Sequence, residues 1–222
     1  KRHDLFMGDN PVGKITMPKF DNKRMRFLTH IECEKLLKEL KTRSHNTHDI
    51  ALLSLQTGMR AGEIFSLTWG DVDLKRGILT LRNTKNTKTR YAYLTERAKD
   101  MLKGRKRGTP NDLVFPGRNG KKIVQISDAF NRAVDELKFN EGIEDERLKV
   151  TFHTLRHTAA SHLVEAGVDL YAVKEILGHS DFKMTSRYAH LGQNTLQAAI
   201  KCLEKHQTGC ADVIPLTKKK RN

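Results

Sequence analysis

The stretch Phe152 to Gly167, FHTLRHTAASHLVEAG, gathers His153, Arg156 and His157 at the start of an otherwise apolar segment. His153 and Arg156 are three residues apart, which puts them on one face of a helix. A helix N-terminus already favours an anion through its exposed N–H groups and macrodipole, so a phosphate suits that position. The same residues also fit a structural reading, in which His153 caps the helix and Arg156 pairs with an acid such as Glu63 or Glu175. Leu155, Ala159 and Leu163 recur every four residues and ask only for core packing. His162 reads as a surface or satisfied histidine, and His157 and His190 either support a site or cap and pack.

The elements around this segment read as mainly α with a small antiparallel β-sheet (α+β). Thr29 is an N-cap for HIECEKLLKEL, whose Ile31, Leu36, Leu37 and Leu40 have helical spacing. The near-continuous apolar run in HDIALLSLQTG marks a central helix that stops at Gly58, and AGEIFSLTW follows almost at once, so Arg60 lies at a helix–helix junction. GILTL and RYAYL read as two strands of a hairpin whose tip, RNTKNTKT, is basic. Thr95 caps ERAKDMLKG, DLVF is a short strand or extended segment, and Ser127 caps DAFNRAVDELK. Asp169 caps LYAVKEIL, which ends at Gly178, and Ser180 or Asp181 caps FKMTSRYAHL.

Bulk properties narrow the function classes. The 222 residues carry 41 Lys+Arg against 26 Asp+Glu, a formal charge of +15, which attracts polyanions and makes nucleic acid the leading partner. Cys33, Cys202 and Cys210 are odd in number and far apart, so neither a disulfide set nor a zinc site is expected, and a reducing, cytoplasmic compartment is. No window approaches a membrane span and the N-terminal segment has no uninterrupted apolar core, so neither secretion nor membrane insertion is expected. The chain begins without Met, as a fragment would. Residues 1–25, with Pro11, Pro18, Gly8 and Gly13 among charges, read as a linker or arm, residues 26–200 as the folded unit, and 201–222 as a helix end and the basic tail KKKR.

The order of the pieces resembles the catalytic domain of the tyrosine recombinase (phage integrase) family over about residues 26 to 192. LQTGMRAGEIFSLTW resembles the first arginine box and TKNTKTR lies in the hairpin that carries the family's lysine. HTLRHTAASHLVEAGVDLYAVKEILGHSDFKMTSRYAHL resembles the second box almost throughout. The resemblance implies Arg60, Lys85, His153, Arg156 and His179 as the activating set and Tyr188 as nucleophile. Thr154 stands where the second box usually has an aspartate, outside the reacting set, and no loss of activity is expected from it. Arg82, Lys88 and Arg90, on or beside the hairpin, are expected to contact DNA. The implied activity is DNA strand transfer, cutting and rejoining duplex DNA through a 3′-phosphotyrosyl intermediate without metal or nucleotide cofactor. The resemblance further implies a missing N-terminal clamp domain and a tetramer on paired sites that exchanges a C-terminal segment, for which LQAAIKCLEKHQ is the candidate. A mobile-element integrase is the first expected role and chromosome-dimer resolution the second.

The chemistry fits the residue types. Attack on a phosphodiester gathers charge on the non-bridging oxygens, and planar guanidinium forks offer paired donors to them, as Arg60 and Arg156 would. The tyrosine must lose a proton and the departing 5′ oxygen must gain one. His153 is the expected base or phosphate ligand, Lys85 the expected acid with Lys88 as its rival, and His179 a donor to the phosphate. Glu63 reads as a structural partner to an arginine, because a carboxylate beside phosphate would repel it. Tyr91, Tyr93 and Tyr171 suit packing better than attack. A type IB topoisomerase and a DNA-binding regulator that keeps the fold are the alternatives.

Overall fold

The computed structural model describes residues 26–82, 89–192, 200–201 and 203–204. Helix α1 (His30–Arg43) opens with a capping box: the Thr29 hydroxyl accepts from the Glu32 N–H at 3.2 Å, and the Glu32 carboxylate accepts from the Thr29 N–H at 2.7 Å. Its buried stripe is Cys33, Leu36, Leu37 and Leu40. Ile31, expected on that face, is 70% exposed, because a turn of about 3.6 residues puts it on the opposite side. Ser44 ends α1 and caps α2 (His45–Thr57), in which Ile50, Ala51, Leu52 and Leu53 are all buried. Helix α2 is buried on several sides because it packs between α1 and α6 (Phe152–Glu165).

After α3 (Ala61–Phe65) and a 3-10 turn at Trp69–Asp71 come β1 (Val72–Asp73), β2 (Ile78–Leu81) and β3 (Arg90–Tyr93), an antiparallel sheet in that order. Leu79 opposite Ala92 and Leu81 opposite Arg90 set the register of the hairpin. Leu79, Leu81 and Ala92 turn inward, whereas Tyr91 and Tyr93 are exposed and contribute little packing. The two-residue β1 has no periodic signal in the sequence, and DLVF forms only a bridge from Leu113 to Thr68. Helices α4 (Glu96–Lys103) and α5 (Asp128–Glu136) begin at the expected caps, Thr95 and Ser127.

Helix α6 starts at Thr151, not with a histidine cap: the Thr154 hydroxyl accepts from the Thr151 N–H at 2.9 Å. Threonine at 154 therefore fills a capping role that an aspartate could also fill. One turn on, α6 fastens the incoming chain, with Leu28 N–H donating to Thr158 Oγ1 at 3.0 Å and His162 sharing a hydrogen bond with the Leu28 carbonyl at 2.9 Å. His162 is thus a satisfied histidine, stacked on His30 at 4.0 Å. Helix α7 (Leu170–Leu177) follows its Asp169 cap. The expected single helix over FKMTSRYAHL is instead α8 (Lys183–Ser186), a break at Arg187 and Tyr188, and a 3-10 turn at Ala189–Gly192. Ser186 Oγ donates back to the Lys183 carbonyl at 3.0 Å, a local bond that competes with continuing the helix.

The large core joins α1, α2, the sheet, α4 and α5 to the start of α6, and a second cluster of Ala160, Val164, Val173, Leu177 and Tyr188 continues from the other end of α6. The two meet where α2 and α7 both end in left-handed glycines. Gly58 has φ 66°, and a Cβ there would come within 2.4 Å of Leu177 Cδ2. Gly178 has φ 65°, and a Cβ there would lie 2.5 Å from Arg90 Cδ. Gly178→Ala is expected to lower unfolding stability by about 1–2 kcal/mol in denaturant titration. Gly62→Ala, where no atom lies within 4 Å, should leave it unchanged or slightly raised.

Candidate active site

The end of α7 collects the arginines. Three successive carbonyls accept from three different guanidinium groups: Ile176 from Arg90 at 3.1 Å, Leu177 from Arg156 at 2.7 Å, and Gly178 from Arg60 at 3.5 Å. These carbonyls are the ones a helix C-terminus leaves without intrahelical donors, and they carry the negative end of its dipole. Arg156 also donates to the Gly58 carbonyl, so it joins the ends of α2 and α7. The structural alternative of an acid partner does not describe it, since its acceptors are backbone oxygens and neither Glu63 nor Glu175.

Glu63 pairs with the other two arginines. Its carboxylate takes Arg90 at 2.7 Å and Arg60 at 3.2 Å, and accepts the Arg60 N–H at 2.8 Å. Burial alone would raise the Glu63 carboxyl, but Arg90, the Arg60 N–H and Arg60 together hold it below its ordinary value. Arg90 was expected to face DNA. Its side chain is only 14% exposed, and the guanidinium is committed to Glu63 and Ile176, so it braces β3 against α7. Arg82, by contrast, pairs with Asp71 at 2.8 Å and remains open to solvent.

Arg156 is 3% exposed, and burial first, then the neighbouring Arg60, push its guanidinium down to about 9, which leaves it charged at neutral pH. A guanidinium has more N–H donors than two carbonyls use, so its orientation is fixed while donors remain. Arg60 is the more exposed of the two and lines an open groove of about 1110 Å³, with Arg82, Lys122, Gly178 and Ser180 along its wall. His179 follows Gly178 and shares a hydrogen bond through Nδ1 with Thr185 Oγ1 at 2.8 Å. Burial, then Arg156 and Arg60, push His179 down to about 3. It is therefore neutral at physiological pH, suited to hydrogen bonding and unsuited to acting as a general acid.

Tyr188 is 6% exposed, and its hydroxyl shares a hydrogen bond with Nδ1 of His157. Burial raises the phenol, while Arg187 and Arg156 pull it the other way. The His157 ring is met edge-on by His153 at 4.7 Å, and His153 is exposed. The sequence alone leaves the role of His157 open between supporting a site and packing. Its one signal is its position directly after Arg156, about a quarter-turn around the helix, which aims it at a different neighbour. Lys85 and Lys88 lie outside the described residues. Among the described residues no three His, Cys, Asp or Glu side chains are grouped as metal ligands, and no helix is long and apolar enough to cross a membrane.

The family model for the phage integrase family matches residues 26–195. The chain belongs to the phage integrase family. The chain is 32% identical over 193 residues to a putative integrase of Pseudomonas phage Pf1, a match that covers 86% of this chain and 53% of the phage protein. It is 33% identical over 208 residues to tyrosine recombinase XerD of Neisseria meningitidis, covering 87% of this chain and 68% of XerD. The catalytic domain of bacteriophage HP1 integrase superposes with a TM-score of 0.61 at 30% identity, over 88% of this chain and 98% of that one. XerH recombinase bound to difH substrate in a pre-cleavage complex gives a TM-score of 0.65 at 25% identity, over 86% of this chain and 56% of that one. The chain thus spans about half the length of the phage Pf1 relative. Its fold is that of the family, mainly helical with a small antiparallel sheet, as expected from the sequence.

The Glu63 bridge gives a pH signature. Its folded carboxyl lies below the ordinary value of 4.5, so its contribution to stability is complete above that pH and is lost as pH falls through the folded value. In thermal unfolding, Glu63→Gln should be less stable than wild type at neutral pH, and the gap should narrow as pH falls below 4.5. A gap that stayed constant would show that the bridge adds nothing through its charge.

Proposed function

We propose that this chain cuts and rejoins duplex DNA as a site-specific recombinase, through a covalent 3′-phosphotyrosyl linkage to Tyr188. The observation that carries the reading is the meeting, at the end of α7, of Arg60 and Arg156 with the neutral His179, close to a tyrosine whose hydroxyl is hydrogen-bonded to a histidine. Two guanidinium forks held on backbone carbonyls are preorganised donors for charge that grows on non-bridging oxygens. His179 adds a neutral donor, and the exposed His153 a phosphate ligand. Tyr188 Oη attacks phosphorus, the P–O5′ bond breaks, and the departing oxygen takes a proton from a lysine of the β2–β3 hairpin, Lys85 or Lys88. Because the ester is conserved in the phosphotyrosine, a new 5′ hydroxyl can reverse the step.

Duplex DNA as partner follows from the +15 charge and the basic groove, with Arg82, Lys122 and Lys88 as contacts to the backbone. Arg90 acts in this account as a positioning residue between the hairpin and α7. Residues 1–25 would connect to a domain that completes a clamp, and four copies on paired sites would exchange the segment around LQAAIKCLEKHQ. A cytoplasmic setting is part of the same proposal.

On a nicked suicide duplex, Tyr188→Phe should abolish covalent capture and leave binding nearly unchanged, since it removes one oxygen, while Tyr171→Phe should stay active. Capture by Tyr188→Phe near the wild-type level would reject the nucleophile. Arg156→Lys should cleave orders of magnitude more slowly than wild type, because lysine keeps the charge and loses the fork that spans Gly58 and Leu177. On a bridging 5′-phosphorothiolate, whose thiolate leaves unprotonated, Lys85→Ala should be largely rescued and Arg156→Ala should not. Rescue of Lys88→Ala in place of Lys85→Ala would move the acid to Lys88.

A further inference from the structure

We infer that His157 is the base that takes the Tyr188 hydroxyl proton, in place of His153, the base or phosphate ligand expected from the resemblance. The inference rests on Tyr188 being the nucleophile and adds the identity of its proton acceptor. A general base must lie within hydrogen-bond reach of the proton it removes, and His157 Nδ1 is already bonded to the phenol. Both partners are buried, at 8% and 6% exposure, where α6 packs against the segment after α8, so bulk water is a poor competitor for the proton. His153, one turn earlier on α6, is exposed and meets the His157 ring edge-on, which suits a phosphate ligand. The resemblance implies His153 as base or phosphate ligand; the phenol meets the same side of α6 one turn further on, at His157.

The step needs His157 neutral, with its proton on Nε2 and the Nδ1 lone pair toward Tyr188. As Tyr188 Oη bonds to phosphorus, its proton passes to Nδ1, and the P–O5′ electron pair leaves with the 5′ oxygen, which is protonated by the hairpin lysine. In rejoining, the 5′ hydroxyl attacks, the Oη–P bond breaks, and the imidazolium of His157 returns its proton to the phenolate. The charged and titratable groups that face the pair include His153 and Arg156 on α6 and Arg187 in the segment that packs against it, whose 3-10 turn also carries the exposed His190. Arg156 and Arg187 both favour the phenolate, which lowers the demand on the base. Both would also resist a further positive charge on the ring, so the imidazolium is a short-lived form that passes its proton back.

The test is His157→Asn, whose side-chain oxygen stands where Nδ1 stood and accepts the same hydrogen bond but cannot hold a proton at neutral pH. In single-turnover cleavage of the suicide duplex by the full chain between about pH 5 and 9, wild type should slow on the acid side as His157 becomes protonated. His157→Asn should be slower by about 10²–10⁴-fold and should lose that acid limb. A variant that cleaves as fast as wild type, or slowly with the limb intact, overturns the assignment, as does one that cleaves faster, which would make His157 a restraint. Should the variant fail to fold, the tautomer of His157 in wild type decides the matter: long-range ¹H–¹⁵N imidazole spectra must show the proton on Nε2, and a proton on Nδ1 overturns it. Tyr188→Phe run beside these separates the two claims, because covalent capture by that variant sinks the nucleophile reading and leaves nothing for His157 to activate.

Discussion

The site depends on a helix ending where several positive charges need acceptors. Three guanidinium groups crowded together repel one another, and burying them without partners would be costly. The last carbonyls of α7 answer both problems, since Ile176, Leu177 and Gly178 offer oxygens that the helix cannot use and carry the negative end of its dipole. A hydrogen bond to a charged group is worth about 1.5–3 kcal/mol, so several together outweigh much of the desolvation. The acceptors are neutral dipoles, which leaves the cluster net positive. An acid pair on every arginine would have cancelled the charge that an anionic phosphate needs.

Glycine geometry makes that ending possible. Gly178 turns the chain into the left-handed region at the point where Arg90 lies against it, and Gly58 does the same at the end of α2, where Arg156 takes its carbonyl. The carbonyl array, the two glycines and the Glu63 bridge form one connected unit that joins α2, α3, β3, α6 and α7. His179 enters it from the residue after Gly178, and burial first, then the surrounding positive charge, keep it neutral. Tyr188 then sits one short helix further on, in a break where its phenol can meet α6.

Much of this was legible in the sequence because it rests on local rules. The caps at Thr29, Thr95, Ser127 and Asp169, the stops at Gly58 and Gly178, and the central character of α2 all follow from residue types at fixed offsets. The family and its mainly helical fold were legible through the two arginine boxes. What escaped were the contacts that depend on tertiary approach. Arg90 reads as one more cation on a basic hairpin, and only the positions of α3 and α7 turn it inward, to Glu63 and the Ile176 carbonyl. His157 differs from His153 by about one turn of the same helix, and only the break at Tyr188 decides which ring the phenol meets. The split of FKMTSRYAHL arose from side-chain bonds at Thr185 and Ser186 that helical periodicity does not register.

The central claim is that this arginine cluster activates a phosphodiester toward one particular oxygen. The most direct measurement is to trap the full chain on a suicide duplex, digest the adduct and locate the attached nucleotide by mass spectrometry. The account predicts a 3′-phosphoryl nucleotide on Tyr188 and on no other residue. An adduct on Tyr171 or another side chain, or DNA cut with no protein attached, would contradict it.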